Sequence, residues 1–101
     1  MDPLDGTTNY AHGFGFFAVS IALEEKGKGI VAGVVNAPYL DEFYSARLGA
    51  GAYLNNEKIY VSSTADLERS MLATGFPYDV KETRANIDYF SRFVVLAQAV
   101  R

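Results

Sequence analysis

An α+β fold is predicted for this chain, an antiparallel β meander packed against helices. Three observations predict it. Residues 16–23 alternate with period two, Phe17, Val19, Ile21 and Leu23 on one face and Phe16, Ala18, Ser20 and Ala22 on the other, which is the pattern of a strand. Short β-prone runs follow it, separated by turns rich in Gly and Asn, as in a chain of hairpins. Near the end, Ile87, Phe90, Val94 and Ala97 recur at helical spacing, which makes one apolar helix face.

Taken in order, Asp2 reads as a strand end, because Pro3 fixes its own φ and pushes the preceding residue towards extended geometry. The backbone is expected to turn after Asp2 and bring Asp5 back to the same point. Thr7, Thr8 and Asn9 are favoured helix-capping types, so a short helix is expected over Thr7–His12, ended by Gly13. The strand over 16–23 comes next; both its faces are apolar enough to need covering. Its small-residue face, Ala18 to Ala22, would let a helix approach closely. Glu24-Glu25-Lys26-Gly27-Lys28-Gly29 is a charged turn. Ile30–Asn36 is a β-branched return strand, closed by Pro38. Glu42–Arg47 forms a third strand, broken by Gly49 and Gly51. Asn55-Asn56 tolerates positive φ and suits a tight hairpin between Ala52–Leu54 and Lys58–Val61. Ser63, Thr64 and Asp66 signal a brief helix around Leu67. Met71–Phe76 reads as a strand ended by Pro77, and Glu82–Arg101 as one helix.

Composition narrows the function classes. The 101 residues carry a net charge of −3, with half of them hydrophobic and 14% aromatic. That is a globular composition sized for one domain at most. The scattered Lys and Arg leave no nucleic-acid footprint, and no apolar run approaches the ~20 residues of a membrane span. There is no cysteine, so disulfides and thiolate metal sites are excluded. A cytoplasmic setting is expected. His12 is the single histidine and is read as structural, near a helix end where the dipole favours it.

The chemistry-bearing stretch is Asp2-Pro3-Leu4-Asp5-Gly6-Thr7-Thr8-Asn9. Two carboxylates flank a proline; a glycine without Cβ lets a ligand approach the main chain, and a helix start suits a phosphate. Acidic oxygens beside an anion site imply a hard cation, Mg2+ first. The pattern D-x-x-D-G alone suits a structural turn, with Asx side chains on nearby N–H groups, better than a metal site. It is neither an EF-hand loop nor a Walker A loop.

The whole octapeptide resembles the signature of the inositol monophosphatase family of Mg2+-dependent, lithium-sensitive phosphatases. The resemblance continues through Tyr10-Ala11-His12-Gly13-Phe14, Val19-Ser20-Ile21-Ala22-Leu23 and Gly33-Val34-Val35. It extends through Gly49-Ala50-Gly51-Ala52-Tyr53-Leu54-Asn55 and Ile59-Tyr60-Val61-Ser62, so it covers nearly the whole chain. Related sequences usually carry proline at position 15 and often glycine at 56. The resemblance implies a piece of the layered α/β/α/β/α sugar-phosphatase fold. Residues 1–101 are expected to form the central part of such a domain, with N-terminal helices, a glutamate-bearing hairpin and a C-terminal sheet outside it.

The resemblance also implies roles. Asp2 would bridge two Mg2+ ions, the Leu4 carbonyl would ligate one and Asp5 the other. Gly6 and Thr7 would offer N–H groups to the substrate phosphate. The Thr7 hydroxyl would orient the attacking water, and Asp5 would reach a substrate hydroxyl. Thr8-Asn9 looks like the inositol monophosphatase branch, so the expected substrate is a small phosphorylated polyol or sugar. The full-length form is expected to be a homodimer. The isolated segment is expected to be inactive or nearly so; the alternative function is a catalytically silent piece of that fold with a structural or protein-interaction role. Glu24, Glu25, Glu42 and Glu57 have no spacing that recommends them as further ligands.

Overall fold

The computed structural model describes residues 1–101. Its contacts divide the chain into two units, Met1–Val61 and Ser62–Arg101. The first unit is the expected meander. Strands β1 (Asp2–Asp5), β2 (Ala18–Glu25), β3 (Gly29–Ala37), β4 (Glu42–Arg47), β5 (Gly51–Leu54) and β6 (Glu57–Ile59) lie in sequence order in one sheet. Every neighbouring pair is antiparallel. Helix α1 (Thr7–Ala11) lies between β1 and β2.

Turn chemistry sets the register. Gly27 and Gly29 have φ of 84° and 79° in the β2–β3 turn. Asn55 and Asn56, at φ 48° and 69°, form the two-residue hairpin with positive φ at both centres that matches strand twist. Asn55 also serves the neighbouring turn. Its Oδ1 accepts from the Phe43 amide at 2.8 Å, and its Nδ2 donates to the Asp41 carbonyl at 2.8 Å. A side-chain amide thus substitutes for main-chain partners where the chain rounds the corner from β3 to β4.

The register also sorts the faces. Ala22, Gly33, Ala46, Ala52 and Ile59 are successive cross-strand partners, so they form one row on one face, small up to Ala52 and closed by Ile59. Ile21, Val34, Ser45, Tyr53 and Lys58 form the matching row on the other. Neither face is closed: Ala37 alone is buried, at 8% exposure, while Leu23 and Ile30 are 62% and 66% exposed.

Several ends differ from expectation. β1 runs through Asp5 instead of ending at Asp2. It is an edge strand with a register irregularity, a position where Pro3, lacking an N–H, is tolerated. β2 starts at Ala18, because Phe16 is held in the preceding loop by an Asn9 side chain and by its own amide bond to the Phe14 carbonyl. β6 stops at Ile59, the last residue with a partner on β5; Val61 beyond it is 96% exposed.

The second unit holds a 3-10 turn at Leu67–Arg69 and strand β7 (Met71–Leu72), then helices α2 (Val80–Thr83) and α3 (Ile87–Phe93) and strand β8 (Ala99–Val100). The expected single helix over Glu82–Arg101 is therefore wrong. Arg84 and Asn86 take positive φ, 53° and 67°, which ends α2 and delays α3. Asn86 is held there because its Nδ2 donates to the Thr74 hydroxyl and the Gly75 carbonyl. Beyond α3 the chain pairs in parallel with β7, Met71 to Ala99 and Leu72 to Val100. The Gln98, Thr74 and Arg101 amides bond to Ser70, Arg101 and Leu72 carbonyls in place of helical partners. The apolar stripe survives within α3, where Phe90 meets Phe76 edge-on at 5.7 Å. No helix is long and apolar enough to cross a membrane.

Candidate active site

The signature octapeptide forms β1, a one-residue corner and the first turns of α1. A regular strand would put Asp2 and Asp5 on opposite faces, since side chains alternate with period two. The register removes that problem. Asp2 pairs with Ser20 and Asp5 with Ala18, so three steps along β1 match two steps along β2. This extra residue is a bulge. Ser20 and Ala18 lie on one face, directly opposed residues share a face, and both carboxylates therefore stand on that face. Pro3 lies inside the irregular segment.

The corner is built on Gly6. It caps α1 with φ 81° and ψ 36°, in the left-handed region, with no side-chain capping bond. Thr7, Thr8 and Asn9, expected as caps, lie inside the helix. Gly6 is required twice over, because a Cβ at this position would also lie 2.9 Å from the Phe16 carbonyl oxygen and 3.2 Å from Phe17 Cα. Across the same junction Asn9 Nδ2 donates to the Phe16 carbonyl at 2.8 Å, and the Tyr10 ring meets Phe17 edge-on at 5.0 Å. His12 ends α1 as its C-cap residue, its amide bonded to the Thr8 carbonyl.

Asp2 Oδ1 accepts from the Leu4 amide at 3.1 Å. This local bond orients the carboxylate, and a carboxylate retains further acceptor sites when one is engaged. Asp2 and Asp5 are both exposed, as groups that meet a ligand from solution must be. Together with the Leu4 carbonyl they supply hard oxygen donors. Mg2+ is commonly held by one or two carboxylates plus substrate phosphate oxygens, so this donor set fits that ion. No group of three or more His, Asp or Glu side chains gathers anywhere in the structure. Glu25 pairs with Lys28 at 2.7 Å in the β2–β3 hairpin. Glu42 accepts from the Tyr44 hydroxyl at 3.0 Å, which, with desolvation and the negative charge, raises the Tyr44 pKa above the usual tyrosine value. Glu57 lies on β6, at the sheet edge opposite β1. None of these joins Asp2 and Asp5.

Sequence reasoning missed the bulge and the Asn9 bond. The first had no local signal, since it is defined by the pairing of Asp2 and Asp5 with Ser20 and Ala18. The second had none either, since Asn9 was indistinguishable from a capping residue.

The family model described as the inositol monophosphatase family matches residues 1–100. The chain is 50% identical over 82 residues to the Nus factor SuhB of Vibrio cholerae, covering 81% of this chain and 30% of that protein. It is 45% identical over 102 residues to an inositol-1-monophosphatase of Synechocystis, covering 100% of this chain and 35% of that protein. The solved inositol monophosphatase of Anabaena (Nostoc) superposes with a TM-score of 0.92 at 45% identity, over 98% of this chain and 39% of that one. The chain thus spans about a third of the length of the curated relatives it matches. With the family signature carried on a bulged edge strand and a glycine corner, and the match running from end to end, the chain belongs to the inositol monophosphatase family.

Proposed function

We propose that this chain carries the carboxylate corner of a Mg2+-dependent phosphomonoesterase that acts on inositol monophosphate or a related small polyol or sugar phosphate. The observation that carries the reading is the bulge that sets Asp2 and Asp5 on one face immediately before a left-handed glycine. Asp2, Asp5 and the Leu4 carbonyl are the donors that would hold Mg2+. When bound, the metal supplies charge neutralisation at the phosphoryl group and a more acidic water. The chain's own residues position the rest. Gly6 and Thr7 turn their main chain towards the substrate phosphate, the Thr7 hydroxyl orients the attacking water, and Asp5 reaches a substrate hydroxyl. Phosphoryl transfer depends on positioning and electrostatics more than on covalent help. In the full-length form the protein would pair as a homodimer.

A second reading has its own support. One relative is named a Nus factor, and both faces of the sheet leave apolar side chains open. The segment would then act as a structural or interaction piece without turnover. Mg2+-dependent release of phosphate from inositol 1-phosphate by the protein that carries residues 1–101 separates the two. Turnover that is lost in EDTA and falls at least a hundredfold in Asp2→Asn supports the phosphatase. No turnover with intact folding supports the interaction piece.

A further inference from the structure

Asn9 occupies an unusual place at the junction of α1 and β2. Its side-chain Nδ2 donates to the Phe16 carbonyl at 2.8 Å, and its main-chain carbonyl accepts from the Phe14 amide at 2.8 Å. The same Phe16 carbonyl is the atom that Gly6 approaches so closely that no Cβ would fit. One main-chain oxygen thus touches both the start of α1 and its middle. Gly6 brings the corner against it, and Asn9 ties the helix to it. Tyr10, on Phe17, is the third point of contact.

Three contacts on neighbouring positions fix a short rigid body in rotation as well as in distance. Without the Asn9 bond, α1 could pivot about the Gly6 contact and the aromatic pair. Bonds within this five-residue helix hold its own turn together and do not oppose such a pivot. Asp5, held on β1 opposite Ala18, and Thr7, on α1, lie on either side of that hinge, so a pivot changes the angle between them.

We propose that Asn9 is a positioning residue for this site. By holding α1 against the entry to β2, it fixes the angle at which Asp5 and Thr7 meet the metal and phosphate. The proposal rests on the phosphatase reading for its consequence and on the geometry alone for the clamp. Groups that orient metal ligands from outside the ligand set are commonly worth about 10- to 100-fold in affinity or activity. A single exposed bond acting through a helix belongs at the low end, about tenfold.

The test is Asn9→Leu, which keeps the size and charge but cannot donate to the Phe16 carbonyl, with Asn9→Ala beside it. Hydrogen exchange at the His12 and Phe14 amides reads the clamp. Calorimetric titration with Mg2+ alone reads the ligand geometry. The control is Asn55→Ala, which removes two bonds of the same kind from the β3–β4 turn. The expected result is faster exchange at both amides and about tenfold weaker Mg2+ binding in the Asn9 variants, with Mg2+ binding unchanged in Asn55→Ala. Faster exchange with unaltered Mg2+ binding would make Asn9 merely structural and overturn the proposal. Unaltered exchange would overturn the clamp itself. A wild-type protein that binds no Mg2+ and releases no phosphate would remove the phosphatase reading, and the exchange data would still decide whether the clamp exists.

Discussion

Substitution of Gly6 by alanine tests the corner most severely, and the structure contains its own control. Gly6 and Gly27 have nearly the same positive φ, +81° and +84°. An alanine at either pays the left-handed cost of about 1–2 kcal/mol. Around Gly27 nothing lies within 4 Å of the added Cβ, whereas at Gly6 it would lie 2.9 Å from the Phe16 carbonyl oxygen and 3.2 Å from Phe17 Cα. Those are main-chain atoms, so no rotamer change relieves the contact. Forcing a methyl into such a place costs roughly a further 1–3 kcal/mol. Gly6→Ala should therefore exceed Gly27→Ala by about 1–3 kcal/mol. The assay is native-state hydrogen exchange, read at the Tyr10 and His12 amides, which bond to the Gly6 and Thr8 carbonyls, and for Gly27→Ala at Lys28, which bonds to Glu25. Gly6→Ala should accelerate exchange roughly 5- to 150-fold more than Gly27→Ala does. Gly6→Asn, which tolerates the φ but carries the Cβ, should behave like the alanine. Equal effects at the two glycines, or a benign Gly6→Asn, would refute the close approach on which the corner depends.

Other consequences are as direct. Asn55→Ala should lower stability by about 1–2 kcal/mol in thermal unfolding, because two hydrogen bonds to Asp41 and Phe43 go at about 1 kcal/mol or less each when exposed. Asn55→Gly keeps the backbone conformation and should still lose most of this; a neutral Asn55→Gly would mean the bonds contribute nothing. The Tyr44 pKa is raised by its bond to Glu42, then by desolvation and charge. The folded state therefore holds that proton more tightly than the unfolded chain. The associated stability is present below the ordinary tyrosine pKa and is lost as pH rises through the folded value. Glu42→Ala should bring the Tyr44 midpoint down in an NMR titration of the Tyr44 ring, and an unmoved midpoint would break the assignment. The 101-residue polypeptide alone should bind the dye ANS strongly, given the exposed Leu23 and Ile30 on its sheet; an ANS-silent, monodisperse monomer would contradict the open faces.

The meander was legible because its signals are local. Period-two alternation at 16–23, the β-branched run at 30–36 and the Asn55-Asn56 pair each name their own structure, and β4 falls on Glu42–Arg47 as expected. The end of the chain was not legible for the opposite reason. The helical stripe continues through Val94 and Ala97, but β8 forms because a partner strand nearly thirty positions earlier, Met71–Leu72, takes its hydrogen bonds. Periodicity cannot report such a partner. Local propensity failed also at Asn86, where one side chain bonded to Thr74 and Gly75 outweighs helix continuation. At the candidate site the residue types were readable and the geometry only partly so. Pro3 announced extended geometry at Asp2, and Gly6 a place without a Cβ, although the atoms that come close there are those of Phe16 and Phe17. The bulge that reverses the alternation between Asp2 and Asp5 follows from pairing with Ser20 and Ala18, which no window around the motif contains.

The most direct measurement is phosphate release from inositol 1-phosphate under saturating Mg2+, comparing wild type with Asp2→Asn and Asp5→Asn at matched folding. Wild-type turnover that collapses at least a hundredfold in each variant is the expected result. Robust turnover that survives either neutralised carboxylate would mean that the bulged strand is not where the metal and the phosphoryl group are met.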